Sequence, residues 1–163
     1  MALVAAVYAA LTMVLAPISF GPVQARISEA LTILPFFFPE TAIGLTIGCA
    51  IANTMSMYGI LDIVFGSLAT LLSSLVMIWL GKKGKDSVMC KALACLQPVI
   101  FNMVIVGAVI AYSSTEGAFW QVFALNALQL GASEFIILFV IGLPLMIWLP
   151  KSDLMSRLKT NHI

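Results

Sequence analysis

The chain has 163 residues, of which 62% are hydrophobic and 9% charged, with a formal net charge of +1 and a mean hydropathy of +1.11. Soluble domains carry about 25% charged residues. So few charges cannot cover a globule with solvated groups, which excludes a soluble protein and predicts an all-α integral membrane protein.

Proline and glycine punctuate the apolar runs. The first run is Ala2–Ile18, closed by Pro17. No basic segment precedes it and no cleavage site follows, so a retained span is expected rather than a signal peptide. A short second run extends from about Ile27 to Phe38 and stops at Pro39. At 1.5 Å per α-helical residue it cannot cross the bilayer without tilt or a re-entrant shape. Thr41–Met57, Ile60–Leu80 and Val88–Tyr112 follow. The last region, Ala118–Leu149, exceeds one simple span. Its first dozen residues are expected as a surface or bent helix, with the span proper starting near Gly131. The result is six transmembrane helices in one domain, residues 1–150, and a tail, residues 151–163.

The basic residues orient these spans. Six spans put both termini and the loop from Gly81 to Ser87 on one side. That side holds Lys82, Lys83, Lys85, Lys91, Lys151, Arg157 and Lys159, seven of the eight Lys and Arg. Basic loops face the cytoplasm, so both termini are expected there in a multi-pass protein of the plasma membrane. Arg26 alone falls outside.

Depth places the polar residues. Glu134 precedes Lys151 by 17 residues, roughly 25 Å of helix, and Asp62 precedes Lys82 by 20, roughly 30 Å. Asn102 falls near the midplane. Asn53, Arg26, Glu29, Asn126 and Gln129 fall on the outer side. Polar groups within spans are costly and face an interior or a cavity. Their confinement to the outer half predicts a pocket open to the outside, because a channel or proton wire needs polar groups through the whole depth. Competing roles stay open for each. Arg26 and Glu29 can pair with each other, Asp62 can answer the dipole of its helix after the Tyr58-Gly59 turn, and Asn53 and Asn102 can link helices. Glu134, with no basic residue within four positions, points most directly to a ligand. Glu40 is expected at a helix start and Glu116 in a solvated loop.

Ala2, Ala6 and Ala10 recur every fourth residue, as do Ala5 and Ala9. Such stripes allow close helix approach, within the chain or by a separate membrane subunit. Gly44, Gly48 and Ala52, and Gly66, Thr70 and Ser74, are expected as internal seams. Cys49, Cys90 and Cys95 lack metal-ligand spacing and His162 is the single histidine, so neither a metal nor another cofactor is expected. No phosphate-binding loop, nucleophile elbow or zinc-protease motif occurs. Capture of a solute is predicted, with energy supplied by another protein. A membrane-embedded enzyme using Glu29, Arg26 and Asp62 is the alternative from a different class.

The runs "LAPISFGPVQARISEALTILPFF", "GLTIGCAIAN" and "GILDIVFGSLATLL" resemble the QueT family, and the similarity extends from about Ala2 to Leu149. The resemblance implies a queuosine-precursor transporter of the S-component type, the substrate-binding subunit of energy-coupling-factor (ECF) transporters. It implies as partners a transmembrane coupling subunit, two ATPase subunits and the lipid membrane, with no nucleic acid. It assigns Ala2, Ala6 and Ala10 to docking of the coupling subunit, and it implies a 7-deazaguanine base or queuine as solute; an S component for another small vitamin-like molecule is the alternative. A deazaguanine presents paired N–H donors beside a carbonyl, which a carboxylate such as Glu29 or Glu134 can accept in bidentate fashion. Asn and Gln amides can read the remaining edge. An aminomethyl group would favour a further carboxylate such as Asp62, and Tyr58, Phe20 or Trp120 can stack on the ring.

Overall fold

The structure, a computed structural model, describes residues 1–20, 25–114 and 118–151. Residues 21–24 of the turn expected over the pocket, Glu116, and the tail with Arg157, Lys159 and His162 lie outside the described residues. Among the described residues every regular element is helical, with no strand. Six helices carry the fold: α1 (Ala2–Val14), α2 (Ile27–Phe36), α3 (Thr41–Met55), α4 (Ile60–Gly84), α5 (Val88–Ser113) and α6 (Phe119–Trp148). The last three are long and apolar enough to cross a membrane, and α1, α2 and α3 are shorter apolar helices.

Two expected boundaries move. The first helix ends at Val14, and a separate four-residue turn, Ala16–Ser19, follows with Pro17 in its first turn. Proline is tolerated there because the first N–H groups of a helix have no partner to lose. The last helix runs unbroken for 30 residues from Phe119 to Trp148, so no separate surface helix precedes it. It absorbs its length through a π-helical segment at Leu138–Gly142, and α5 has another at Asn102–Val106. The first lies just before Pro144, whose missing N–H and bulky ring disturb the ladder of the preceding turn.

Close approaches set the directions of the chain. A Cβ added at Gly44 would lie 2.8 Å from the Met1 carbonyl oxygen, and one at Gly48 would lie 2.7 Å from that of Ala5. The contacts advance the same way along both helices, so α1 and α3 run parallel and α2 must return the chain between them. At one end of α2, Arg26 pairs with Asp62 in the first turn of α4. At the other, the Phe36 carbonyl lies against Gly81 near the end of α4.

The stretch from Asp62 to Gly81 is about 28 Å of α-helix. Ten residues from Arg26 to Phe36 would rise only about 15 Å as an α-helix but about 20 Å as a 3₁₀-helix. The structure adopts the 3₁₀ form over all ten residues of α2, a long run for that geometry. With three residues per turn, Glu29, Thr32 and Pro35 stack in one buried row and Ala30, Ile33 and Phe36 in another, while Leu31 and Leu34 are half-buried.

The bundle interior is divided along its axis. Near the basic end of α4, Ile33, Phe36, Phe37, Met77, Leu80, Ala94, Cys95, Val99, Leu138 and Met146 form an apolar core. Lys82 and Lys83 lie in the last turn of α4, and Lys83 covers the exposed Trp79 ring. Toward the opposite end, buried Arg26, Glu29, Asn53, Asp62, Asn102 and Glu134 lie beside a smaller apolar cluster of Val106, Ile110 and Leu130. Large apolar side chains such as Leu3, Ile43, Val64, Leu75, Ile136 and Val140 point outward, as lipid contact requires. Gly59, with φ of +59°, opens α4 in a conformation that favours glycine over any side chain.

The α1–α3 seam is testable. Helix association in lipid rests on close packing, and the atom that a Gly48 methyl would strike is backbone. Gly48→Ala is expected to cost about 1–3 kcal/mol, read as a lowered unfolding temperature in detergent. Gly131→Ala, whose methyl would meet only the flexible Met103 side chain, is expected to cost less.

Candidate functional site

Three helices enclose Glu29. Its carboxylate Oε1 accepts the Tyr8 hydroxyl at 2.6 Å, and its backbone carbonyl accepts the Thr32 hydroxyl at 2.6 Å. One turn further along α1, Thr12 Oγ1 donates to the Tyr8 carbonyl at 2.8 Å and lies 2.6 Å from Ser28 Oγ. Tyr8, Thr12, Ser28, Glu29 and Thr32 are all buried. Tyr8 sits four residues before Thr12, so both face α2, while Leu45, Cys49 and Ala52 of α3 pack around the tyrosine.

Arg26 and Glu29 do not form the hydrogen-bonded pair that their spacing offered. Arg26 precedes α2 with extended backbone (φ −93°, ψ 96°), which turns its side chain away from the helical row. Its Nη2 contacts Asp62 Oδ2 at 3.4 Å, with both side chains buried. That single contact is long for a hydrogen bond. The guanidinium lies 5.1 Å from the centre of the Phe20 ring, a cation–π distance. Asp62 is also the acidic residue in the first turn of α4, so its charge meets both the helix dipole and Arg26. Its carbonyl accepts Asn53 Nδ2 at 2.9 Å, joining α3 to α4. Gly66 makes room for this link, since a Cβ there would lie 2.5 Å from Asn53 Nδ2.

The third group joins α5 to α6. Asn102 Nδ2 donates to Glu134 Oε1 at 2.7 Å, and both residues are buried. Glu134 lies within the electrostatic reach of both Glu29 and Arg26, which brings the three groups into one region. Of the residues expected at the site, the bundle therefore gathers Arg26, Glu29, Asn53, Asp62, Asn102 and Glu134. Half-buried Asn126 bonds back to Val122 of its own helix, and Gln129 is exposed. Half-buried Tyr58 packs on Val106, Ile110 and Leu130. Trp120 is exposed and set edge-on to Phe119.

Several buried side-chain atoms of this region have no hydrogen-bond partner: Asn53 Oδ1, Asp62 Oδ1, Glu134 Oε2, Arg26 Nε and Ser19 Oγ. Buried polar atoms are nearly always partnered, so the cluster is equipped to receive a polar molecule. No group of His, Cys, Asp and Glu suited to a metal ion occurs among the described residues. The three cysteines are free thiols. A groove of about 630 Å³ lies between α4 and α5 and is walled by apolar residues, among them Leu61, Phe65, Val104 and Tyr112. It offers the polar cluster's chemistry nothing.

Tyr8, Thr12, Ser28 and Thr32 belong to this buried cluster and were not among the residues expected there from sequence. The signal was present in part. Tyr8 is the one aromatic residue in an alanine-rich helix, and Thr12 shares its face one turn later.

A search of solved structures returned no match. The protein described as queuosine precursor transporter QueT of Lactococcus lactis subsp. cremoris (strain MG1363) is 46% identical over 72 residues. That stretch is 43% of this chain and 42% of the relative, so the chain covers less than half of the relative's length. The sequence profile of the QueT transporter family matches residues 1–151. With that match over nearly the whole chain, and a helical membrane bundle that fits it, the chain belongs to the QueT transporter family.

Proposed function

We propose that this chain is the S component of an ATP-driven ECF transporter of the plasma membrane. It captures a queuosine precursor, a 7-deazaguanine base or queuine, from the outside. A transmembrane coupling subunit and two ATPase subunits then drive release into the cell. Both termini and the Lys82–Lys85 loop are cytoplasmic, which sets the polar end of the bundle outward. The observation that carries this proposal is the enclosed polar cluster at one end of the bundle. It combines two carboxylates that lack an ion-pair partner with backbone-anchored hydroxyls. Glu29 accepts the paired N–H donors of the guanine-like edge, because a carboxylate can accept about four hydrogen bonds and Tyr8 uses one. Asn102 and Asn53 stand beside the carboxylates as further polar contacts.

The two alanine stripes of α1 support the docking assignment. Ala5 and Ala9 are buried, Ala5 against Gly48 of α3, whereas Ala2, Ala6 and Ala10 are exposed. The exposed stripe leaves a smooth helix face for a coupling subunit to approach closely.

Three outcomes are expected. Purified protein carrying Glu29→Gln binds a deazaguanine base about 100-fold more weakly by calorimetry, the order expected when a buried charged hydrogen bond is broken. Unchanged affinity in Glu29→Gln and Glu134→Gln alike overturns the assignment. Ala6→Leu leaves that affinity intact and lowers ATP-dependent uptake at least about tenfold, whereas Ala5→Leu destabilises the protein itself, since overpacking at a buried seam costs stability. Full uptake by Ala6→Leu removes the docking face. In a background with Ser at the native cysteine positions, Met57→Cys reacts with an impermeant maleimide added to intact cells and Lys83→Cys does not. The reverse pattern inverts the orientation.

A further inference from the structure

We infer that the basic end of the bundle holds the phosphate headgroup of an anionic phospholipid, at a site built from the start of α5 and Lys91. Such a site lies at the far end of the bundle from the polar cluster and is independent of the solute that the cluster takes. The first observation is Lys91 itself. It is 6% exposed, and among the described residues its side chain has neither a hydrogen bond nor an ion pair. Its row on α5, with Ala94, Cys95 and Pro98, is buried, so the apolar stem packs inside the bundle. A helical side chain leans toward the N-terminus of its helix, which carries the ammonium back to the first turn of α5.

The second observation is the helix start. α5 is 26 residues long and has no acidic residue in its first turn. Helix starts carry unpaired N–H groups and a partial positive charge, and favour anions. The side-chain cap is Ser87 Oγ, 3.4 Å from the Cys90 N–H, a long contact. Lys91 adds a full positive charge at the same place. Lys82 and Lys83 have a local reason to be where they are, because they answer the negative end of α4. Lys91 has none. A buried cation set against a positive helix start is costly on both counts, and a bound anion offsets both.

The surroundings select a lipid. A Cβ at Gly84 would lie 2.5 Å from Cys90 Sγ, so the start of α5 sits directly beside the end of α4 and its lysines. Lys82, Lys83 and Lys85 are exposed there, with exposed Asp86 next to them and exposed Glu40 just before α3. Neither carboxylate pairs with a lysine among the described residues. Lys83 Nζ lies 3.9 Å from the centre of the exposed Trp79 ring, and tryptophan and lysine mark the level of a membrane–water interface. Exposed Val88, Met89 and Leu93 flank Lys91. They give acyl chains an apolar footing that a free phosphate or an acidic peptide leaves bare. Lysine clusters beside a membrane span attract anionic headgroups, and an enclosed contact such as that of Lys91 is screened by salt less than an exposed one.

The experiment immobilises the whole purified chain in detergent and loads it with phosphatidylglycerol or with phosphatidylcholine of the same acyl chains. Lipid retained after washing is quantified by mass spectrometry. Wild type is expected to retain phosphatidylglycerol at least about tenfold more than phosphatidylcholine. Lys91→Met, which keeps an apolar stem, is expected to cut that preference below about threefold, and Lys82→Gln to leave it within about twofold of wild type. Equal retention of the two lipids by wild type overturns the site without need of any variant. Equal loss in Lys91→Met and Lys82→Gln shows diffuse attraction to the lysine loop and overturns the role of Lys91. Displacement of bound phosphatidylglycerol by excess inorganic phosphate assigns the site to free phosphate and overturns the lipid. If Lys91→Met does not fold, a salt series on wild type decides: a preference that survives high-salt washing supports the enclosed contact, and one that collapses overturns it.

Discussion

Ten residues of α2 must cover most of the depth that α4 takes nineteen to cross. The organisation of this bundle follows from that mismatch. The parallel packing of α1 and α3 leaves α2 as the return path, with its start held at Asp62 and its end against Gly81. An α-helix would fall short, so the chain adopts the more extended 3₁₀ form, with about 2.0 Å of rise per residue. The three-residue period then aligns Glu29 with Thr32 and Pro35 toward the interior, and the buried carboxylate inherits its direction from the stretch.

The same stretch explains the position of Arg26. It lies just before the helix with extended backbone, at the polar limit of α2's reach. Its guanidinium spans to α4 and rests against Phe20. An apolar residue here would tie nothing. An arginine supplies length, charge and a planar face together, at the cost of burying a cation whose Nε lacks a partner.

Much of the architecture was legible from composition and punctuation. Membrane character, the all-helical fold, α3, α4 and α5, and the internal seams at Gly44–Gly48 and Gly66 follow from local sequence, because lipid imposes simple rules on each helix separately. Arg26, Glu29, Asn53, Asp62, Asn102 and Glu134 were visible as costly residues in apolar runs. Their partners were not. Arg26 and Asp62 are 36 positions apart and Tyr8 and Glu29 are 21, and pairings at such separations depend on how helices are arranged, which no local period encodes. The 3₁₀ form of α2 was illegible for a related reason. It answers to the spacing of its neighbours rather than to its own residues. Tyr8 was hidden by its setting, since a tyrosine among alanines reads as packing until its hydroxyl finds a carboxylate.

α1 carries three duties on one short helix. Ala5 fits against Gly48 of α3, Tyr8 and Thr12 hold α2, and Ala2, Ala6 and Ala10 stay exposed. Most faces of the helix are therefore spoken for, and few positions are free to drift. A generic leucine-rich span of equal hydrophobicity would satisfy the membrane and fail everything else. A chimaera that swaps this helix loses the α3 seam, the Tyr8 contact to Glu29 and the exposed alanine stripe in a single step.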